Sequence, residues 1–508
     1  MRRYSGSYSL PIRLAAGGLL TGVLLAGIPF DRALVKAAAA SKDEEVINLR
    51  VCNWEEYMDL GDWDEDETIN LESGDIIGVN PMYEDFENWY YETYGKRVKV
   101  TYSCFGTNEE LYNMLTLGDV YDLVCPSEYM IMKMMSEDML VPFSEDFFDE
   151  SIPENYYMRG VSPFIRETFE NNEINGEPWS KYAAGYMWGI TGIVYNPEMV
   201  TEEEASTWEV VDNPKFYRQV TIKDNVRDAL FVAIGAMKSE LLTSEEFLNA
   251  PDYAERLAEE MNDVSPETIA AAGAYLQDTK ENVYSFETDS GKADMITGKV
   301  AANYQWSGDA VYAMDQADED DFELDFAIPR ESTNLYFDGW VMLKSGVGDD
   351  TEKRQAAQAF INFVSKPENA VRNMYYIGYT SVISGGDDPM VFDYLDWNYG
   401  AEDDEEDVVE YPVGYFFTGD NSDEDYILTV PRKQTKRQLS AQYPDEAAMN
   451  RSAVMQYFDG DTNTEINQMW IEVRCFNIKR VPAWAWLAIA AGIALLVGLA
   501  AWKKSREF

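Results

Sequence analysis

Between residues 46 and 125, short apolar runs alternate with stretches of helical periodicity, and that alternation directs the chain to parallel α/β construction. Val46-Ile47-Asn48-Leu49-Arg50-Val51-Cys52 reads as a strand. Residues 82–94 carry Phe86, Trp89, Tyr90 and Tyr94 at helical spacing, and Gly95 closes that helix. Val98-Lys99-Val100-Thr101-Tyr102 is a second strand, and residues 109–117 form a helix with Leu111, Met114 and Leu115 on one side. Tyr121-Asp122-Leu123-Val124-Cys125 is a third strand, stopped by Pro126. Farther on, 192–195, 300–306, 326–329 and 339–343 read as strands, and 226–242, 251–261, 266–278 and 350–365 as helices. A chain of 508 residues exceeds one ordinary core and suits two lobes.

Two apolar segments bracket this α/β region. Residues 12–30, preceded by Arg2 and Arg3, approach the ~20 residues that cross a bilayer. The first 40 residues are a signal peptide or an N-terminal anchor, with Ala37 to Ala40 offering small residues for cleavage. Residues 482–502 are uncharged, carry Trp484, Trp486 and Trp502 near their ends, and are followed by Lys503, Lys504 and Arg506. That pattern predicts a C-terminal transmembrane helix whose basic tail faces the cytoplasm. The region between then lies outside the cytoplasm, tethered to the cell membrane.

Composition excludes several functions. With no histidine, Ser-His-Asp and Cys-His mechanisms are impossible, and the commonest transition-metal ligand is missing. The net charge of −52 repels nucleic acid and attracts cations. It serves equally as a solubilising or salt-adapted surface. Cys52, Cys104, Cys125 and Cys475 form no C-x-x-C pair; they allow three disulfide pairings, or four free thiols. Asp62-x-Asp64-x-Asp66 and Asp459-x-Asp461-x-Asn463 open like calcium loops but lack the turn glycine and the terminal glutamate. The basic stretch 432–437 is a solvated face or a docking patch. The chain reads as neither an enzyme nor a metalloprotein.

Ligands of α/β sheets bind outside the carboxyl ends of strands. Here those ends carry Asn53-Trp54-Glu55-Glu56-Tyr57, Tyr102-Ser103-Cys104-Phe105-Gly106-Thr107-Asn108-Glu109 and Pro126-Ser127-Glu128-Tyr129. In this order and spacing they resemble the spermidine/putrescine-binding proteins of ABC importers. Ser206-Thr207-Trp208, Lys223-Asp224-Asn225-Val226-Arg227-Asp228, Tyr304-Gln305-Trp306-Ser307-Gly308, Phe337-Asp338-Gly339 and Tyr376-Ile377-Gly378-Tyr379 are similar as well. The resemblance covers about residues 46–385.

It implies a two-lobed periplasmic-binding-protein fold, with lobe one at 46–188 and 327–387 and lobe two at 189–326 and 388–478. It further implies a monomer with no catalytic residue and no cofactor. A polyamine would lie in the cleft between the lobes, and the closed form would dock on an ABC permease. Carried over residue by residue, Trp54, Tyr57, Tyr129, Trp306, Tyr336 and Tyr379 would be the walls. Asp338 and Asp228 would pair with ammonium groups, and Glu56 and Ser127 would accept further hydrogen bonds. Asn225 stands where the pattern has a second acid, Asp228 where it has glutamate, and Tyr336 where it has tryptophan.

Such a set suits the ligand physically. Ammonium groups removed from water need carboxylates, while methylenes and cations both suit aromatic faces, each cation–π contact contributing ~0.5–2 kcal/mol. The alternatives are the same fold binding another small organic cation, or a surface adhesin.

Overall fold

The computed structural model describes residues 46–402 and 404–475. The segments 1–40 and 482–502 lie outside the described residues. Among the described residues no helix is long and apolar enough to cross a membrane.

The chain forms two compact units. One takes the described residues up to Gly189 and Tyr336–Asp445; the other takes Ile190–Leu335 and the described residues from Glu446 onward. Two of the expected boundaries move. Residues 388–445, expected in lobe two, join the first unit. There Phe416 stacks on Trp188 at 5.5 Å, the Ser162 hydroxyl donates to the Phe416 carbonyl, and Thr380 Oγ1 donates to the Gln442 carbonyl at 3.0 Å. Residues 327–335, expected in lobe one, join the second. Arg330 N donates to the Ser206 carbonyl, and the fully buried Glu331 accepts from Ser239 Oγ at 2.9 Å and Trp208 N at 3.3 Å.

In the first unit the expected strand–helix alternation is present. Strand Ile47–Trp54 pairs in parallel with Val98–Phe105 on one side and Leu123–Val124 on the other. Leu123–Val124 pairs antiparallel with the end of strand Thr333–Leu343. Helix Met82–Tyr94 makes the first crossover. Its Met82, Phe86 and Tyr90, four apart, are buried, and Gly95, at φ 65°, ends it by donating to the Tyr91 carbonyl. A side chain there would meet the steric penalty of the left-handed region. Helix Asn108–Leu117 is started by Thr107, whose hydroxyl accepts from Glu110 N. Helix Thr351–Val364, capped by Asp350, sets Phe360 between Phe86 and Trp340, with ring centroids at 5.0 and 5.5 Å.

In the second unit, Val220–Lys223 pairs in parallel with both Ser285–Glu287 and Ala302–Trp306. Ala302–Trp306 pairs antiparallel with the end of strand Ala183–Tyr195. That strand was expected only from residue 192 but runs for 13 residues, all buried. Burial on both faces removes the polar alternation by which an amphipathic strand is recognised. The helix expected over 226–242 is two helices, Val226–Met237 and Ser239–Leu242. They break at Lys238, whose ammonium is held by Glu260 at 2.7 Å and Asp263 at 2.9 Å. Trp208 is fully buried against Gly235 and Tyr304.

Candidate ligand site

The first unit assembles a cluster around one carboxylate. Asp338 lies in strand Thr333–Leu343, where all eleven residues are buried, and is itself 5% exposed. Tyr57 OH donates to Asp338 Oδ2 at 2.6 Å, and Ser127 Oγ donates to Asp338 Oδ1 at 2.7 Å. The turn at 126–129 clasps the same strand. Gly339 N donates to the Pro126 carbonyl, Phe337 N to Glu128 Oε2 at 3.0 Å, and Ser127 forms a bridge with Asp338. Burial pushes the Asp338 carboxyl up from its ordinary value of 3.8 to about 6, although both hydroxyls pull it down. Among the described residues no lysine or arginine pairs with it. Burial, and then the Asp338 charge, raise the Tyr57 phenol and the Cys125 thiol well above their ordinary values.

Aromatic rings gather at this carboxylate. Tyr57 meets Tyr379 edge-on at 4.7 Å and Tyr186 at 5.7 Å, and Tyr186 OH donates to the Tyr57 carbonyl at 2.8 Å. Tyr336, two residues before Asp338, is buried, and electrostatic interaction with its phenol adds to the rise of the Tyr57 phenol. Asn108 Nδ2 donates to Ser127 Oγ at 3.1 Å and to Tyr129 OH at 2.9 Å, while its Oδ1 accepts from Ser127 N. Trp54 stacks obliquely on Phe105 at 4.7 Å, with its indole Nε1 buried and lacking a partner among the described residues. Glu56 is exposed, at φ 53°. The loop after Tyr57 is pinned by Asp59. It pairs with the buried Arg372 and accepts from Gly61 N at 2.8 Å and Trp63 Nε1 at 3.1 Å. Arg372 also reaches Asp85 at 2.7 Å.

The second unit assembles its own cluster at the carboxyl ends of Val220–Lys223 and Ala302–Trp306. Asp228, in the first turn of helix Val226–Met237, is 5% exposed and accepts from Tyr304 OH at 2.7 Å and Trp306 Nε1 at 3.4 Å. Behind Trp306 lies a charge already in place. The fully buried Lys223 ammonium stands 4.2 Å from the Trp306 ring centroid, donates to the Thr288 carbonyl at 2.7 Å and pairs with Asp309 at 3.3 Å. Asp309 also meets Lys292 at 3.3 Å. Burial opposes its charge, yet Lys223 and Lys292 bring the carboxyl below its ordinary value. Asn225 caps the helix. Its Oδ1 accepts from Arg227 N at 2.8 Å and Asp228 N at 3.3 Å, which commits that oxygen to the backbone and fixes where Asp228 emerges.

The structure therefore brings Tyr57, Ser127, Asp338 and Tyr379 into contact in one unit, joined through Asn108 to Tyr129. In the other it joins Asp228 to Trp306, with Asn225 at the helix start. Asn108, Tyr304, Lys223 and Asp309 are the organising residues that the sequence reading did not single out. All but Asp309 lie inside the strand-end blocks, so position marked them, but a hydrogen-bonded role could not be read from type alone. All four cysteines are free, with Cys52 and Cys125 buried. Among the described residues no group of three or more thiols or carboxylates is placed to hold a metal ion.

Comparison with known proteins gives a consistent picture. The model of the family of bacterial extracellular solute-binding proteins matches residues 82–391, more than half of the chain. The spermidine/putrescine-binding periplasmic protein of Salmonella typhimurium is 24% identical over 285 residues, covering 56% of this chain and 70% of that protein. A spermidine/putrescine ABC transporter substrate-binding protein from Streptococcus pneumoniae superposes with a TM-score of 0.53 at 22% identity, covering 85% of this chain and 99% of its own. A putative spermidine/putrescine ABC transporter protein from Listeria monocytogenes gives 0.55 at 21% identity, covering 84% and 99%. At these identities the two solved structures establish a shared periplasmic-binding-protein-like fold.

Proposed function

The chain belongs to the bacterial extracellular solute-binding proteins, and on that footing we propose that it captures a polyamine such as spermidine or putrescine outside the cytoplasm and hands it to an ABC permease. The observation that carries this reading is the Asp338 carboxylate, buried among phenol rings and hydrogen-bonded by neutral hydroxyls. A buried carboxylate without a counter-charge is costly, and an ammonium group arriving with the ligand relieves that cost. Asp228, bonded by Tyr304 and Trp306, is the corresponding group of the second unit. Tyr57, Tyr379, Tyr129, Tyr336, Trp54 and Trp306 supply faces for methylenes and cations, with Ser127 and Glu56 as further acceptors. The curated relatives named for spermidine and putrescine, from several bacteria, support the same ligand class.

Titration calorimetry of the chain with spermidine and putrescine tests the proposal. Saturable binding is expected, weakened more than about tenfold by Asp338→Ala, because the substitution strips a paired charge. No heat at millimolar concentrations of either ligand overturns it. The same reading makes residues 482–502, with the basic tail that follows, the membrane tether. A chain ending at residue 480 should then leave the membrane fraction under conditions that retain the full chain, and its retention would refute the tether.

A further inference from the structure

The C-terminal arm of the second unit, residues 454–475, lies beyond the segment 82–391 that matches the family model, yet it grips the turn that presents Asp228. Helix Gly460–Cys475 buries Ile466, Met469 and Val473 and lies along helix Pro266–Asn282. The approach is close: a Cβ on Gly273 would stand 2.8 Å from Met469 Cγ. Lys280 Nζ donates to the Val473 carbonyl at 2.7 Å and the Arg474 carbonyl at 3.1 Å, and Gln277 Nε2 donates to the Glu472 carbonyl at 2.8 Å. These contacts tie the last described turn of the helix to helix Pro266–Asn282. Just before this helix, Asn262 accepts from Gln456 N at 2.8 Å and donates to the Val454 carbonyl at 3.0 Å. The arm is thus held just before the helix and again at its last described turn.

From these two fixed points the arm reaches the residues on either side of Asn225. Arg474 pairs with Asp224 and lies over the Phe286 ring at 5.4 Å, and Trp470 meets the same ring at 5.4 Å. Arg227, 6% exposed, donates to the Gln456 carbonyl at 2.7 Å and lies over the Phe458 ring at 4.4 Å. Asp224 leaves the end of strand Val220–Lys223, Asn225 caps the helix, and Arg227 and Asp228 are in its first turn. A turn held on one side at Asp224 and on the other at Arg227 has little freedom left, and the carboxylate it carries is held with it.

We propose that Arg474 and Arg227 are positioning residues for ligand binding, through which the C-terminal arm holds the 224–228 turn and so pre-organises Asp228. The inference rests on the reading of Asp228 as a ligand-binding carboxylate. A pre-organised group gains affinity because the cost of ordering it has been met before the ligand arrives. Neither arginine needs to touch the ligand, and the effect should therefore vanish when Asp228 no longer carries a charge.

The test is a double-mutant cycle in the full chain, with spermidine and putrescine affinities measured by calorimetry and Tm by scanning fluorimetry. Arg474→Ala should weaken binding about three- to tenfold, and Arg474→Lys should restore most of it. In an Asp228→Asn background, Arg474→Ala should add almost nothing. Arg227→Met, with the guanidinium gone and much of the packing kept, should behave as Arg474→Ala does. If Arg474→Ala and Arg227→Met lower Tm but leave affinity unchanged, or if their losses add fully to that of Asp228→Asn, the positioning role is overturned while the site stands. If Asp228→Asn alone leaves affinity unchanged, the ligand role of Asp228 fails and the inference falls with it.

Discussion

Acidification should release the ligand through one carboxyl group. Asp338 is held up at about 6 by burial, against an ordinary 3.8. A folded-state value above the unfolded one means that the folded protein without ligand binds this proton more tightly than the unfolded chain does. This group's contribution to stability should therefore fall as pH rises through about 4 to 6, by on the order of 3 kcal/mol. The ionised carboxylate that an ammonium needs is fully present only above that window. Polyamine nitrogens, with values near the ~10 of lysine, stay charged throughout. At about pH 5 roughly one tenth of Asp338 is ionised in the absence of ligand, so the apparent Kd should be about tenfold weaker than at about pH 7.5. Calorimetry or tryptophan fluorescence titration at constant ionic strength across this range measures the effect. Asp338→Asn should bind more weakly at neutral pH and lose most of the pH dependence. Parallel pH profiles for the wild type and Asp338→Asn would refute the reasoning, since some other group would then be titrating.

Arg372→Ala leaves the buried Asp59 without its partner and should cost about 3–5 kcal/mol in urea unfolding; it should also weaken polyamine binding, because Asp59 pins the loop that follows Tyr57. Gly346→Ala would drive a methyl group into the Tyr121 carbonyl and should destabilise by about 1–3 kcal/mol, read from the urea midpoint, whereas an unchanged midpoint would show that the backbone yields there. A thiol reagent should titrate Cys104 and Cys475 in the native protein and all four cysteines after unfolding without reductant; fewer than four in the unfolded chain would reveal a disulfide.

Local patterns carried much of the fold. Helix Met82–Tyr94 and its closing Gly95 followed from aromatic spacing and one left-handed position, both of which are properties of neighbouring residues. Strand Ile47–Trp54 and its parallel partners followed from apolar runs broken by helices. Strand Ala183–Tyr195 was only partly legible, because a strand buried on both faces loses the alternation that marks it. The break at Lys238 was illegible in the local pattern, and the groups that hold its ammonium, Glu260 and Asp263, lie more than twenty residues away. The resemblance places residues 388–445 in lobe two, but packing against Trp188 and Ser162 decides that they belong to the first unit.

For the site, the sequence by itself determined which residues stand at strand ends. It also determined that chemistry requiring a histidine is absent, since the chain has none. It could name Asp338, Tyr57 and Ser127, but not that the two hydroxyls, 281 and 211 residues away, converge on one carboxylate and that burial lifts its proton affinity. Tertiary structure alone decided that Lys223 already occupies one side of the Trp306 ring and that a C-terminal arm grips the 224–228 turn. Side-chain type and local period are written in the order of residues. Proton affinity and pre-organisation depend on which distant groups share a desolvated space, and only the folded chain brings those groups together.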